Sequence, residues 1–230
     1  MNYVEAADFV SPGTVGAGPG PVVGQFGRKA NVSSLLEQVA IAYQQDTGVT
    51  TDFLPEEPTP AGLDVGAGSD IVPDPEVPAF EVGDVVTYVR LLAPPARGPS
   101  TAESESGGRV FRQIGCAASH VPSMTTGVKV APALNRQEAR MYTDLLLHDM
   151  GPGLADGRVD GTANGFEWRT ARLWGLRLGP GALGGEVSYL PDGRAKSVDE
   201  AIRLHGGEGS CRDTRMSDFQ TPIAKGCWPT

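Results

Sequence analysis

The chain has 230 residues, of which 40% are hydrophobic, and a formal net charge of -9 at pH 7. This length is sufficient for one or two domains with a buried core. The acidic balance, with 19 Lys and Arg spread along the chain, excludes nucleic acid and anionic membrane surfaces as partners and favours a basic protein partner. No apolar run approaches the roughly 18 residues of a spanning helix, so the sequence predicts no membrane span.

The N-terminal half predicts two helices between irregular connections. The 31 glycines and 19 prolines exceed average usage and predict long Gly/Pro-rich loops. After an irregular stretch over residues 1–30, an apolar stripe that begins after Ser33 predicts a helix that ends at Gly48. Beyond a second turn-rich stretch, residues 80–92 predict another helix, which the prolines that follow it stop.

The remainder of the chain carries weaker signals of regular structure. Residues 96–106 are small and polar, which is typical of a linker and predicts a domain boundary there. Residues 142–153 and 167–176 show no clear periodicity. Further on, the capping-box pattern Ser197-Val198-Asp199-Glu200 predicts a short helix that reaches His205.

The most specific motif is the run Gly115-Cys116-Ala117-Ala118-Ser119-His120. With a thiol in place of the Ser119 hydroxyl it would read Cys-x-x-Cys-His, the signature of covalent c-type haem attachment. In that signature two thiols bond the haem and the histidine binds its iron. The four-residue spacing of Cys116 and His120 places both on one face of a helical turn. A serine hydroxyl cannot act as the second nucleophile, so the motif allows one thioether.

The motif also has a purely structural interpretation, without haem. The pattern Cys-x-x-x-His arises readily by chance, and His120 would then be an ordinary structural histidine. Directly before the cysteine, however, Gly107, Phe111 and Gly115 recur at helical spacing. The first helix of a cytochrome c domain usually approaches its haem in this way, so the combination favours haem.

The remaining cysteines and histidines form no clear metal motif. Cys116, Cys211 and Cys227 are widely spaced and define no zinc site. A Cys211–Cys227 disulfide is expected only in an oxidising compartment. A metal hydrolase is a further alternative, although no zincin-type spacing supports it. Its candidate ligands would be His120, His148, Asp149 and His205.

Six stretches of the chain occur in the order of one known family. They are Gly24-Gln25-Phe26-Gly27-Arg28-Lys29-Ala30, Leu91-Leu92-Ala93-Pro94-Pro95, and residues 114–122, 144–156, 167–176 and 192–208. With these stretches the chain resembles the bacterial di-haem oxidoreductases, often called thiol oxidoreductases, which are related to the di-haem cytochrome c peroxidases. The resemblance implies a C-terminal fragment of a periplasmic protein, whose other haem site and export signal lie upstream.

The resemblance implies a haem c iron cofactor at the Cys116 motif. Cys116 would supply a single thioether beside Ser119, and His120 would be the proximal iron ligand. Related peroxidases place the opposite ligand in a helix that reads Glu-Ala-Val-x-x-Met. The corresponding run here, Glu200-Ala201-Ile202-Arg203-Leu204-His205, implies His205 as that ligand, and a neutral imidazole is a good ligand of haem iron.

Six further side chains are candidates for the same site, and several of them have a structural alternative. Met150 is a competing axial ligand, although a methionine after an apolar run also suits core packing. His148 beside Asp149 is the candidate catalytic residue, as a proton relay to bound peroxide. Arg169 and Arg194 are candidates to bind haem propionates, and Trp168 or Trp174 to pack against the macrocycle. The alternative for both tryptophans is a place in the core.

The chain also departs from the family pattern. Ser119 replaces the second cysteine, Pro191 stands where the family usually has a histidine, and Arg172 replaces a usual proline. Residues 209–230 lack the helical periodicity that the family shows at this point. These departures support an alternative, in which the chain is a haem-free degenerate fragment without catalytic activity.

Taken together, these features predict a mainly α-helical chain with a cytochrome c-like domain and long irregular Gly/Pro-rich loops. The expected parts are a partial N-terminal region with two packing helices, a linker, a haem domain and an atypical tail, at residues 1–95, 96–106, 107–208 and 209–230. The expected function is electron transfer by haem c in a peroxidase-like di-haem oxidoreductase. Its partners would be a redox partner protein and a small oxidant such as peroxide.

Overall fold

The computed structural model describes residues 1–10, 20–58 and 71–210 of the chain. They fall into two compact units, Asn2–Leu92 and a second that begins at Ala93. In these described ranges, no helix combines the length and the apolar character that crossing a membrane requires. The candidate disulfide between Cys211 and Cys227 lies outside them.

The first helix of the N-terminal unit, α1 (Leu35–Ala42), has the bounds that its capping residues dictate. The Ser34 hydroxyl accepts a hydrogen bond from the Glu37 N–H at 3.1 Å, which satisfies one of the donors left open at a helix start. A π-helical turn, Tyr43–Thr47, continues α1 and ends at Gly48, whose φ is +69°. Because glycine adopts this left-handed conformation without a steric penalty, the predicted helix end is confirmed.

The second helix, α2 (Ala79–Leu91), confirms the element predicted over residues 80–92. Val39 of α1 and Val82 and Val86 of α2 are buried together and form the core of this unit. Removal of their apolar surface from water is the main force that holds the two helices together. A short antiparallel sheet, β1 (Tyr3–Val4) with β2 (Val22–Val23), belongs to the same unit.

The second unit opens with α3 (Ala102–Gln113), which leads into the Cys116 motif. Thr101 and Ser104 form a reciprocal capping box, with hydrogen bonds of 3.1 and 2.9 Å. Residues 102–106, which the sequence predicted to be part of a linker, are therefore the first turns of this helix. The helix ends before Gly115, whose φ is +95°.

The rest of this unit consists of short elements joined by loops. They are β3 (Met124–Thr125), β4 (Glu138–Ala139), β5 (Leu147–Asp149), β6 (Glu167–Arg169), α4 (Gly179–Ala182) and α5 (Val198–Leu204). Strands β3 and β4 pair with each other, and so do β5 and β6, in which His148 lies opposite Trp168. Strands of two or three residues are too short to show an alternating pattern, which is why the sequence did not reveal them.

The expected mainly α-helical, cytochrome c-like fold is wrong. The described residues form a mixed α/β structure that consists largely of loops, with helices of at most 13 residues and two-stranded sheets. The Gly/Pro-rich loops that the composition predicted are present. The same glycines and prolines interrupt the chain so often that few helices extend beyond three turns.

Candidate functional site

The Cys116 motif folds as a single tight turn. A 3-10 helix, Cys116–Ala118, is followed by a hydrogen bond of 2.9 Å from the His120 N–H to the carbonyl oxygen of Cys116. Cys116 and His120 are both half-buried, and Cys116 carries a thiol rather than a disulfide. Ser119 lies in the same turn, and its carbonyl oxygen accepts from the Asp144 N–H at 2.8 Å.

The ring of His120 is oriented by the backbone of Tyr142. Its Nδ1 lies 2.9 Å from the carbonyl oxygen of Tyr142. Since a carbonyl oxygen only accepts, Nδ1 carries the proton and Nε2 carries the lone pair. The Phe111 ring packs beside both residues, with its centroid 6.4 Å from that of His120 and 5.9 Å from that of Tyr142. Metal-binding histidines are commonly oriented by a hydrogen bond of this kind.

The environment keeps His120 in its neutral form near pH 7. Burial lowers the pKa of His120 below its ordinary value of 6.5. The positive charge that His205 carries when protonated acts in the same direction, whereas the carbonyls of Tyr142 and Ala171 and the carboxylate of Asp144 oppose it. The neutral imidazole is the form that binds a metal ion.

The segment that carries Tyr142 is joined to the rest of the unit by Thr143. The Thr143 side chain is fully buried, and its hydroxyl donates to the carbonyl oxygen of Thr170 at 2.8 Å. Its N–H donates to the carbonyl oxygen of Val121 at 3.0 Å. Tyr142 and Leu145 on either side have φ values of +55° and +61°. Thr143 therefore ties the motif turn to the chain just beyond β6.

His148 lies between two carboxylates. Its Nε2 is 2.8 Å from Oδ2 of Asp144, and its Nδ1 is 3.0 Å from Oε2 of Glu208. The sequence suggested Asp149 as its neighbour in a proton relay, but the Asp149 carboxylate accepts from the Gly151 N–H at 2.7 Å. The partners of His148 are thus Asp144 and Glu208, and its catalytic role stays a prediction.

Asp144 is ionised in this arrangement. Burial alone would raise the pKa of its carboxyl group, but hydrogen bonds from the Leu146 N–H, from His148 and from Thr170 outweigh burial and hold the pKa below its ordinary range. A carboxylate that is held in this way is a strong acceptor for the His148 ring.

The two candidates for the opposite axial ligand lie against the same glycine. His205 follows directly on α5, and its Nδ1 is 2.6 Å from the carbonyl oxygen of Ala201, which leaves the lone pair on Nε2. A Cβ atom at Gly209 would lie 3.2 Å from Cδ2 of His205 and 3.0 Å from Sδ of Met150. The imidazole and the thioether are therefore neighbours.

These side chains fit a c-type haem. A thiol, imidazoles with their lone pair on Nε2 and a thioether are the groups that attach and ligate haem iron in proteins. The metal hydrolase alternative finds no such support. Within the described ranges, the acidic and histidine side chains whose ligand atoms converge are Glu57, Asp74 and Glu76 of the N-terminal unit, and none belongs to the predicted hydrolase set.

Among the candidates for haem contacts, Arg194 has other hydrogen-bond partners in the structure. Arg194 donates to the carboxylate of Asp192 and to the carbonyl oxygen of Gly153. Arg169 is half-buried, and burial lowers the pKa of its guanidinium. Trp174 is also half-buried. Their contacts with propionates and macrocycle stay predictions.

The sequence missed several residues that shape the site. Asp144 and His148 are four positions apart, a spacing that signals a pair on a helix but that here spans an irregular segment and a strand. No local pattern indicates that Tyr142 would present its carbonyl to His120, or that Glu208 and Gly209 would reach β5.

Comparison with known proteins agrees with this chemistry. The chain matches the family described as "Di-haem oxidoreductase, putative peroxidase" over residues 8–222. A search of curated proteins and a search of solved structures each found no match. The family is one of peroxidase-like oxidoreductases, and its name implies haem. Because the match covers most of the chain and every residue of the site, the chain belongs to the di-haem oxidoreductase family.

Proposed function

We propose that this chain binds haem c and transfers electrons within a peroxidase-like di-haem oxidoreductase. One observation carries the proposal: His120 shares a turn with the Cys116 thiol, and the Tyr142 carbonyl fixes its ring with the lone pair on Nε2. Cys116 would be the covalent tether and His120 the proximal ligand. Ser119, in the same turn, has no thiol, so the attachment would be a single thioether.

His205 is the proposed opposite ligand, and Met150 is the competing one. The Ala201 carbonyl fixes the His205 ring in the tautomer that can bind iron. Bis-histidine ligation favours a lower reduction potential than ligation by histidine and methionine, because the thioether stabilises the reduced iron. The choice between the two ligands therefore decides the potential at which this chain would work.

The protein would supply the iron ligands, determine how far the haem is buried and control the access of redox partners to it. When bound, haem iron cycles between its ferric and ferrous states, which supplies one-electron transfer and, at an open coordination position, reduction of peroxide. The net charge of -9 favours a basic redox partner protein, whose association would weaken as salt is added. We place this function in the periplasm, where c-type haem is attached.

The test is expression of the full chain behind an export leader in a periplasm with cytochrome c maturation. The purified protein is then examined by a pyridine haemochrome spectrum and by haem staining after denaturing electrophoresis. We expect covalent haem with a band displaced toward that of a single thioether. The matched variant Cys116→Ser should lose the covalent haem while its far-ultraviolet circular dichroism stays unchanged.

A colourless, folded wild-type chain would overturn the proposal. Ser119 is the specific observation that favours this second outcome, since maturation enzymes that require two thiols would not process the motif. The chain would then be a haem-free degenerate member of the family.

A further inference from the structure

Residues 205–209, which we call the His205 segment, are held against strand β5 by very close backbone contacts. A Cβ atom at Gly206 would lie 2.7 Å from the carbonyl oxygen of Met150, and one at Gly207 would lie 2.3 Å from that of Asp149. Any side chain at these positions would collide with the backbone of Asp149, the last residue of β5, or of Met150, which follows it.

The side chain that joins the His205 segment to the other side of the site is Glu208. Its Oε2 atom lies within hydrogen-bond distance of Nδ1 of His148, at 3.0 Å, across 60 residues of chain. The other ring nitrogen of His148 lies 2.8 Å from Asp144, whose N–H donates to the carbonyl oxygen of Ser119. A continuous row of hydrogen bonds thus runs from the haem-motif turn through Asp144 and His148 to the His205 segment.

We infer that Glu208, through its side-chain contact with His148, is a positioning residue that fixes His205 against β5. In taking His205 as an iron ligand, this inference rests on the proposed function. Glu208 is three residues beyond His205, with glycines on both sides of it. Its contact with His148 therefore adds to the hydrogen bond between the His205 ring and Ala201 in limiting the freedom of this glycine-rich turn.

The row of hydrogen bonds contains two carboxylates, and their difference in burial makes Glu208 the better one to replace in an experiment. The Asp144 side chain is 12% exposed, whereas that of Glu208 is 62% exposed. Removal of Asp144 would leave the half-buried His148 ring without the more buried of its two partners and disturb the fold. Removal of Glu208 breaks the row where water can take over its hydrogen bonds.

The experiment uses the full chain without haem and labels its three histidines with diethylpyrocarbonate. Peptide mass spectrometry gives a modification rate for each. In Glu208→Ala the rate at His205 should rise about two- to fivefold, the range expected from loss of one partly exposed contact to a carboxylate, while the rate at His120 stays unchanged. Glu208→Gln, which keeps an acceptor oxygen, should rise less. Glu186→Ala, which removes an exposed carboxylate from the same unit, should match the wild type.

Equal rates at His205 in Glu208→Ala, Glu186→Ala and the wild type would overturn the inference. So would an equal rise at His120 and His205, because that would show general loosening rather than loss of one contact.

Haem-loaded protein supplies a second readout. The ferric spectrum of Glu208→Ala should shift from low-spin toward high-spin, and added imidazole should restore the low-spin form. An unchanged spectrum would show that Glu208 does not position the ligand. A wild-type chain that never loads haem would contradict the proposed function, whereas the labelling result would still decide the role of Glu208.

Discussion

His120 and Tyr142 are joined by a hydrogen bond of 2.9 Å between the imidazole Nδ1 and a backbone carbonyl oxygen, and Tyr142 makes this bond with a φ of +55°. A left-handed conformation in a residue with a side chain costs about 1 kcal/mol or more. It persists because the buried Thr143 fixes the next residue and Phe111 packs against the Tyr142 ring at 5.9 Å. The segment is thus held in a conformation that directs the carbonyl at the histidine.

Replacement of Thr143 by valine tests how strongly this segment is held. Valine has nearly the same shape but leaves the Leu145 N–H and the Thr170 carbonyl, which both bond the Thr143 hydroxyl, without that partner. We expect the free energy of unfolding to fall by about 1–3 kcal/mol, as measured by urea titration. Thr143→Ser, which keeps the hydroxyl, should lose less. Equal stability of the valine variant and the wild type would contradict the prediction.

Gly207→Ala tests the close approach between the His205 segment and β5. Alanine would place its Cβ 2.3 Å from the carbonyl oxygen of Asp149 and would have to adopt a φ of +53°. We expect a loss of about 2 kcal/mol or more in the free energy of unfolding. Gly157→Ala is the matched control, because Gly157 also has a left-handed φ, of +70°, and a Cβ there meets nothing within 4 Å. If both variants are equally stable, the approach is looser than described.

The lowered pKa of His120 predicts a pH dependence of stability. The folded-state pKa lies below 6.5, so between that pKa and 6.5 the unfolded chain binds more protons than the folded chain. The contribution of His120 is therefore complete above pH 6.5 and is lost as the pH falls through the folded-state pKa. Urea titrations from pH 7.5 to 5 should show this fall, and His120→Asn should flatten it. A slope that the variant does not change would assign the effect to other groups.

Spectra of axial-ligand variants distinguish His205 from Met150. In haem-loaded protein, His205→Ala should convert a six-coordinate low-spin ferric spectrum to a high-spin one, because an axial ligand is lost. Met150→Leu fills the same volume and should keep the low-spin spectrum. The reverse result, with low-spin ligation lost only in Met150→Leu, would make Met150 the ligand.

Ser119→Cys tests whether the lack of a second thiol limits covalent attachment of haem. This change creates the complete Cys-x-x-Cys-His signature. We expect a higher yield of covalent haem under the same maturation conditions and a haemochrome band at the position of two thioethers. A double variant that also contains His120→Ala should lose this gain. No rise in yield would show that the turn does not present both sulfur atoms to haem.

The sequence predicted those elements whose causes are local. Capping groups within about four residues determine the start of α1 at Ser34, the end of its π-helical continuation at Gly48 and the start of α5 at Ser197. These elements were found. For residues 102–106, composition alone does not predict the secondary structure. Their small polar side chains suggested a linker, but the capping box between Thr101 and Ser104 starts α3 there.

The expectation for the fold as a whole failed for a related reason. The sequence shows apolar stripes at helical spacing in a few segments, and the expectation that the whole chain is mainly helical rests on its resemblance to the family. Strands β5 and β6 pair over three residues each. Strands this short are stable only because they pair with each other. Their short sequences contain no pattern that distinguishes them from the loops around them.

What the sequence by itself determined is the chemistry available at the site: a thiol and an imidazole on one turn, a short capped helix that ends next to a second imidazole, and membership of one family. Only the tertiary structure decided which atoms meet. His120 bonds a carbonyl 22 residues away and His148 a carboxylate 60 residues away. Such contacts require long loops to close, and they depend on the packing of every segment between, which no local pattern encodes.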